Sequence, residues 1–476
     1  MTRSKKMILV SAAVLGGMAL VALIVWFVSP AAVRRIRDHR PNILFISIDT
    51  LRADHMGCYG YHRPTTPNLD RLAAEGVRFS RDVTTASFTL PAHVSMFTGE
   101  QMGVHRVAAM RHAIADGVDT ITKVLHRAGY ATVGIACAPY LKKPFGFAQG
   151  FDVYDDRLAS MSIPESEGAV TSKKAVSRAM QQIEARRRQP WFVFLHMWDP
   201  HYDYVPPPPF DKKFADEYHG RFSMAHFEQN QAFHVGMDPA DYAYTVSQYD
   251  GEIAWTDHQL GRLFAWLKKS GLWDQTAIFV TGDHGEEFLE HGQRGHGHAL
   301  YDELVHVPLL VKMPGVKPGR VIDCPVSPTD FYLTFAELAE TKPGAYEGDG
   351  GNLLNLILDR QVCDESRVLV SETNISRLDK YHGSPLGYET MIETGGVKFF
   401  HRIGEAEREM MFDIRTDPLE RRDLIAERPA QARAMRERLI AIQRRQTYLA
   451  GKLRMEKPNH LDVRTRDELH QLGYVN

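Results

Sequence analysis

The apolar positions of this chain fall into short, nearly continuous runs separated by amphipathic stretches. Asn42-Ile43-Leu44-Phe45-Ile46-Ser47-Ile48 has one polar residue inside it and stops at Asp49, the pattern of a strand buried on both faces of a parallel sheet. Val77-Arg78-Phe79, Tyr130 to Cys137, Trp191 to Leu195, Thr276 to Thr281 and Val307 to Val311 also read as strands. Between them lie helical segments. Thr66 to Glu75 has Pro67 at its start and Gly76 past its end, Thr120 to Ala128 is closed by Gly129, and a long helix is predicted from about Asp238 to Ser270. That helix carries Ile253, Trp255, Leu260, Leu263, Phe264 and Leu267 at helical spacing, and its acids Asp250, Glu252 and Asp257 are expected on a solvated face.

Strands alternating with helices predict an α/β domain with a mainly parallel central sheet flanked by helices, in which ligands gather at the carboxyl ends of strands. Asp49, His201 and Asp283-His284 all follow strands, which predicts a common rim. From about residue 361 the texture changes. Val368 to Val370, Tyr388 to Glu393, Val397 to Phe400 and Glu409 to Ile414 suggest a small antiparallel sheet, followed by a helix over Pro429 to Gln446. The predicted organisation is therefore a catalytic domain over 41–360, a C-terminal α+β subdomain over 361–450 and a polar tail over 451–476.

One apolar run is different in kind. Met7 to Val28 is uncharged and, at ~1.5 Å per residue, would extend roughly 33 Å, enough to cross a bilayer core. Residues 1–40 are thus expected to be a membrane anchor and basic tether, with the body outside the cytoplasm, at the periplasm or cell surface. A cleaved signal peptide is the competing reading, but the run is longer than a usual h-region and Ser29-Pro30-Ala31-Ala32 is a poor cleavage site.

Composition adds little beyond exclusions. The 476 residues carry a formal net charge of -2, with no excess of positive charge for a nucleic-acid partner. Cys58, Cys137, Cys324 and Cys363 lack CxxC spacing, which argues against a zinc ribbon and leaves room for one or two bridges.

The candidate chemistry centres on Ala86 to Gly99, a loop running into a helix, with Pro91 where a first helical turn tolerates it. Thr89 then lies at a helix N-terminus, where free N–H groups and the dipole favour an anion. By itself this is the ordinary place of a capping residue. Four motifs change the picture. Asn42-Ile-Leu-Phe-Ile-Ser-Ile-Asp49-Thr-Leu-Arg-Ala-Asp54, Leu90-Pro-Ala-His-Val-Ser-Met-Phe-Thr-Gly99, Gly282-Asp283-His284-Gly-Glu286 and Phe412-Asp413-Ile-Arg-Thr-Asp417-Pro418 together resemble the sulfatase family of the alkaline phosphatase superfamily, over roughly Pro41 to Arg445. The resemblance implies an alkaline-phosphatase-like sandwich and a metal-dependent hydrolase of sulfate or phosphate esters.

The chain departs from that family's pattern at telling positions. Its C-x-P-x-R motif, whose Cys or Ser is oxidised to formylglycine, is matched here by Thr89-Leu90-Pro91-Ala92-His93. Threonine would give a ketone, so no formylglycine is expected and Thr89 is the expected nucleophile. His93 stands in place of the arginine, and Thr50 in place of the second of two paired aspartates. A directly used threonine resembles the phosphoethanolamine and phosphoglycerol transferases of the superfamily.

A threonine hydroxyl needs a base or a metal to become a nucleophile, and a cation also neutralises charge on a sulfuryl or phosphoryl oxygen. Asp49, Asp283 and His284, converging with Thr89, suit one divalent ion: Zn²⁺ or Mn²⁺ by donor chemistry, with Ca²⁺ or Mg²⁺ as alternatives. The resemblance further implies His201 as the acid for the leaving group. It places His296 where the family has a lysine on the substrate's charged oxygens, with His93 as the other candidate for holding the transferred group. A two-metal alternative combines His298 with Asp199 and His201. A transferase acting on a lipid or glycan hydroxyl, and an inactive anion-binding relative, are the competing functions.

Overall fold

The computed structural model describes residues 40–159, 171–215, 218–224, 231–344, 346–374, 387–404, 407–458 and 461. The predicted anchor over 7–28 and the tail over 462–476 lie outside them. Among the described residues no helix is long and apolar enough to cross a membrane.

Eight strands form the central sheet: β1 Asn42–Ile48, β2 Val77–Val83, β3 Ala131–Ile135, β4 Val153–Asp155, β5 Trp191–Met197, β6 Thr276–Gly282, β7 His306–Lys312 and β8 Arg320–Val326. Their order is β8-β2-β7-β6-β1-β5-β3-β4. β7 runs against its neighbours β2 and β6, and the remaining pairs are parallel. This is the mainly parallel sheet that near-continuous apolar runs require, since such strands have two faces to bury.

Alternate residues of β1 show how both faces are used. Ile43 and Phe45 join one core with α2 (Thr89–Thr98), α3 (Ile121–Arg127) and α6 (Phe331–Leu338). Leu44, Ile46 and Ile48 join the other with α1 (Pro67–Glu75), α4 (Thr171–Arg186) and α5 (Pro239–Lys269). The fold is thus the expected alkaline-phosphatase-like sandwich, with helices on both sides of the sheet.

The acids of α5 are not solvated. Asp250 is fully buried and accepts from Tyr61 Oη at 2.7 Å and Arg63 at 2.7 Å, with His55 Nδ1 also at 2.7 Å. Asp257 accepts the backbone N–H groups of Asn68 at 3.0 Å and Leu69 at 2.8 Å, capping the N-terminus of α1, and Glu252 accepts Val205 N–H at 2.8 Å. The segment around Tyr61 and Arg63, the start of α1 and the loop at Val205 pack over these positions of the helix. Each carboxylate is kept underground by donors that need it, the condition under which buried acids persist.

The second sheet is antiparallel throughout, in the order β9 Leu369–Asn374, β10 Gly387–Thr394, β11 Val397–Gly404 and β12 Arg408–Asp413. One face packs on α7 (Pro429–Leu453) through Ile392, Phe399, Met411 and Leu439. The other meets the catalytic domain through Met391, Phe400 and Met410 against Val83, Leu300 and Leu304. β9 also braces the loop leading to Thr89: Glu372 N–H donates to Thr85 O at 2.9 Å and Ser371 Oγ to Thr84 O at 2.5 Å. Within the segment read as a polar tail, Glu456–Pro458 pairs with His112–Ile114. Cys324 and Cys363 are disulfide-bonded, while Cys58 and Cys137 are free.

Candidate active site

Strand register brings the acids together. Ile48 of β1 is paired with Gly282 of β6, so the residues that follow, Asp49 and Asp283, are neighbours at the rim. Ile48 is also paired with Met197 of β5, and Met197 O accepts Asp49 N–H at 3.0 Å. The close approach needs glycine at position 282, where a Cβ would lie 2.6 Å from Leu51 O. Asp283 is held from one side only: its Oδ1 accepts Thr50 N–H at 3.1 Å and His284 N–H at 2.8 Å, while Oδ2 has no hydrogen-bond partner.

Thr89 is the first residue of α2 rather than lying ahead of it, so Pro91 occupies the helix's third position, still within the first turn where its missing N–H costs nothing. No side chain caps this helix. Thr89 is buried, with Oγ1 3.3 Å from His284 Nε2. His284 Nδ1 lies 2.9 Å from Gly285 O and donates to it, which leaves the Nε2 lone pair turned toward Thr89 and the acids. That nitrogen is 3.7 Å from Asp49 Oδ1 and 3.5 Å from Asp283 Oδ2.

The electrostatics of the site are those of crowded, buried acceptors. Burial pushes the Asp49 carboxyl up to about 7, with His284 pulling it down and Glu286 adding to the rise. Burial, then the neighbouring Asp49, raises Asp283. Burial works to lower His284, but Asp283 and Asp49 outweigh it and raise the imidazole's pKa. Burial also pushes Glu286 up to about 8. Both oxygens of Asp49, Oδ2 of Asp283, Oε2 of Glu286 and both ring nitrogens of His196 are buried without hydrogen-bond partners. Orphaned buried polar atoms are rare because each costs roughly 1–3 kcal/mol, so their concentration at one point fits a cation.

Two overlapping groups have ligand atoms within 4.8 Å of one another: Asp49, Asp283 and His284, and His93, His196 and Asp283. The first is the set anticipated with Thr89. Bonds of about 2.0–2.2 Å to zinc at tetrahedral angles put ligand atoms roughly 3.3–3.6 Å apart, close to the separations around His284 Nε2.

The other anticipated residues take varied places. His93 lies beneath Thr89, fully buried, with Nδ1 2.8 Å from Thr89 O and Nε2 2.9 Å from Ser47 Oγ. Both ring nitrogens are engaged, so it supports the helix start rather than facing a transferred group. Burial lowers its pKa to about 3 and keeps it neutral. His296 is at the rim, its ring 4.4 Å from that of His284 and its Nδ1 3.0 Å from Glu286 Oε1. His201 packs on Trp198 at 3.9 Å and lies 5.1 Å from His296, ring to ring; burial and then His296 hold its pKa well below the usual histidine range.

The two-metal alternative does not assemble. Asp199 faces the first turn of α4, where it accepts from Thr171 Oγ1 at 2.5 Å and Ser172 N–H at 3.0 Å, and His298 Nε2 lies 2.7 Å from Glu287 Oε2. Asp199 thereby neutralises a helix N-terminus, a use of a carboxylate that the spacing of Asp199 and His201 does not reveal. Sequence reasoning passed over His196 and Glu286. The signal for His196 was present: it is the last residue but one of a buried strand that lies beside the strand leading to Asp49.

Comparison with known proteins identifies the family and the fold. The Sulfatase family profile matches residues 41–341. The chain is 23% identical over 465 residues to the N-acetylglucosamine-6-O-sulfatase of Bacteroides thetaiotaomicron, covering 80% of this chain and 82% of that protein. It is 25% identical to the multifunctional alkaline phosphatase superfamily protein PehA of Trinickia caryophylli, covering 84% and 93%. Among solved structures it resembles the phosphonate monoester hydrolase of Agrobacterium radiobacter, with a TM-score of 0.69 and 21% identity over 86% of this chain and 96% of that one. A structure determined with its substrate D-glucosamine-2-N,6-O-disulfate gives a TM-score of 0.71 with 19% identity over 89% and 100%.

Proposed function

This chain belongs to the sulfatase family and is an ester hydrolase of the alkaline phosphatase superfamily; on that premise we propose that it cleaves a sulfate or phosphate ester with the Thr89 hydroxyl itself as nucleophile, beside one divalent cation. The carrying observation is the 3.3 Å approach of Thr89 Oγ1 to His284 Nε2, whose neighbours, both oxygens of Asp49 and Oδ2 of Asp283, are buried without hydrogen-bond partners among the described residues. Asp49, Asp283 and His284 would hold the cation, and Zn²⁺ or Mn²⁺ suits this mixed nitrogen and oxygen set. When bound, it lowers the pKa of a ligating hydroxyl and neutralises charge on the group transferred.

The chain's own residues supply the remaining steps. Thr89 Oγ1 gives its proton to solvent water and forms a bond to sulfur or phosphorus while the ester bond to the leaving oxygen breaks, giving a Thr89 ester. His201 gives that oxygen a proton. A bound anion beside the imidazole favours the charged form that burial alone disfavours, so His201 is loaded as an acid only when substrate is present. Water then cleaves the Thr89 ester, releasing sulfate or phosphate. His93, donating to Thr89 O, fixes the first turn of α2, and His296 reaches the transferred group's oxygens from the Glu286 side.

The uncharged run over 7–28 supports attachment to a membrane with the catalytic domain on the extracytoplasmic side. The test of the chemistry is turnover of aryl sulfate, aryl phosphate and aryl phosphodiester by the metal-loaded chain, with acid quenching and mass spectrometry of the Thr89 peptide. A sulfated or phosphorylated Thr89 is expected. Unchanged turnover by Thr89→Ala would remove the nucleophile assignment.

A further inference from the structure

We propose that His196 is a further protein ligand of the same cation, binding through Nε2 beside Asp49, Asp283 and His284. This rests on the metal-dependent reading of the site and adds a residue to it. His196 is the penultimate residue of β5, paired with Ser47 of β1, so the sheet itself sets it next to the end of β1 where Asp49 sits.

Its surroundings leave both ring nitrogens without a protein partner: the ring is fully buried, and neither Nδ1 nor Nε2 has a hydrogen-bond partner among the described residues. A neutral imidazole has one N–H and one lone pair, and leaving both unmade in a dry interior is costly. Nε2 lies 3.4 Å from Asp49 Oδ2, a separation that suits two ligands sharing a metal and that is not made as a hydrogen bond.

Nearby alternatives are committed elsewhere. Thr50 Oγ1 donates to Pro200 O at 3.2 Å and so turns away from the acids. The ligand atoms of His93 come within 4.8 Å of those of His196 and Asp283, but its two nitrogens are on Thr89 O and Ser47 Oγ. His196 is the histidine with lone-pair capacity to give. With two imidazoles, two carboxylates and a hydroxyl, the donor set moves away from the all-oxygen shells of Ca²⁺ and Mg²⁺ toward Zn²⁺, Mn²⁺ or Co²⁺.

The experiment uses the full chain stripped with chelator, titrated with Co²⁺ by visible absorption and with Zn²⁺ against a competing chelator. His196→Ala, His196→Asn and His196→Asp are compared, with thermal melts of the stripped proteins to check that each is folded. The wild type is expected to take one ion per chain. His196→Ala and His196→Asn should lose more than the roughly 10–100-fold in affinity that removal of an outer hydrogen-bond partner costs, with an altered Co²⁺ spectrum. His196→Asp should recover binding with the preference moved toward Mn²⁺ and Ca²⁺. Wild-type affinity and an unchanged spectrum in the folded Ala and Asn variants would overturn the assignment, as would two ions per chain of which His196→Ala loses one. If the wild type itself bound no ion, the metal-dependent reading would fall as well; failure confined to the variants leaves that reading standing.

Discussion

Replacing Asp49 by asparagine should make the metal-stripped chain more stable at pH 8 while ending its activity. Asp49 is fully buried, neither carboxylate oxygen has a partner, and burial raises its pKa to about 7. The unfolded chain carries this carboxyl at about 3.9, so the folded chain binds the proton more tightly. Stability contributed by the protonated form is therefore lost as pH rises from about 4 through 7, and above 7 the ionised group costs about 4 kcal/mol, from ~1.4 kcal/mol for each of roughly three pH units. Asparagine escapes that penalty but leaves its own amide hydrogen bonds unmade, at about 1–3 kcal/mol. The expected net gain is about 1–3 kcal/mol at pH 8. At pH 4.5 the wild type retains only about 1 kcal/mol of the ionisation cost, so the gain should vanish there. Denaturant melts of both stripped proteins at the two pH values measure this. An Asp49→Asn variant less stable than wild type at pH 8 would refute the reasoning, because it would mean the carboxylate finds partners in the absence of metal. Adding Zn²⁺ or Mn²⁺ should stabilise the wild type far more than the variant.

Thr89→Ala should lower kcat by roughly 10³-fold or more while Co²⁺ binding persists, measured by parallel turnover and titration. His201→Asn should cost roughly 10²–10⁴-fold on alkyl esters and much less on nitrophenyl esters, whose leaving oxygen needs no proton; equal losses on both would argue against an acid role. Joint Cys324→Ser and Cys363→Ser replacement removes a bridge with a sequence separation of 39 and should destabilise by about 2–4 kcal/mol, read as a lowered melting midpoint that reducing agent does not lower further.

Legibility followed the range over which each constraint acts. Continuous apolar runs ending at Asp49 and ahead of Asp283 announced buried parallel strands and their rim, because side-chain burial on two faces leaves a local imprint on composition. Thr89 before Pro91 announced a helix start for the same local reason. What pattern could not supply was who faces whom. Asp250, Glu252 and Asp257 are charged positions on a long helix, and only the segments packed against α5, among them the N-terminus of α1, decide that they are buried and bonded. Asp199 sits beside a histidine like a metal ligand, yet α4, which begins 28 residues earlier, claims it.

By itself, then, the sequence determined the sheet-and-helix order and the small second sheet, since each is written in neighbouring positions, and its family motifs singled out Thr89, Asp49, Asp283 and His284 as candidates. The tertiary structure alone decided the register that sets Asp49 against Asp283, the placing of His93 behind Thr89 and the arrival of His196 beside Asp49. Those are contacts between strands and helices far apart along the chain. Their existence depends on how whole layers pack, which no local spacing records.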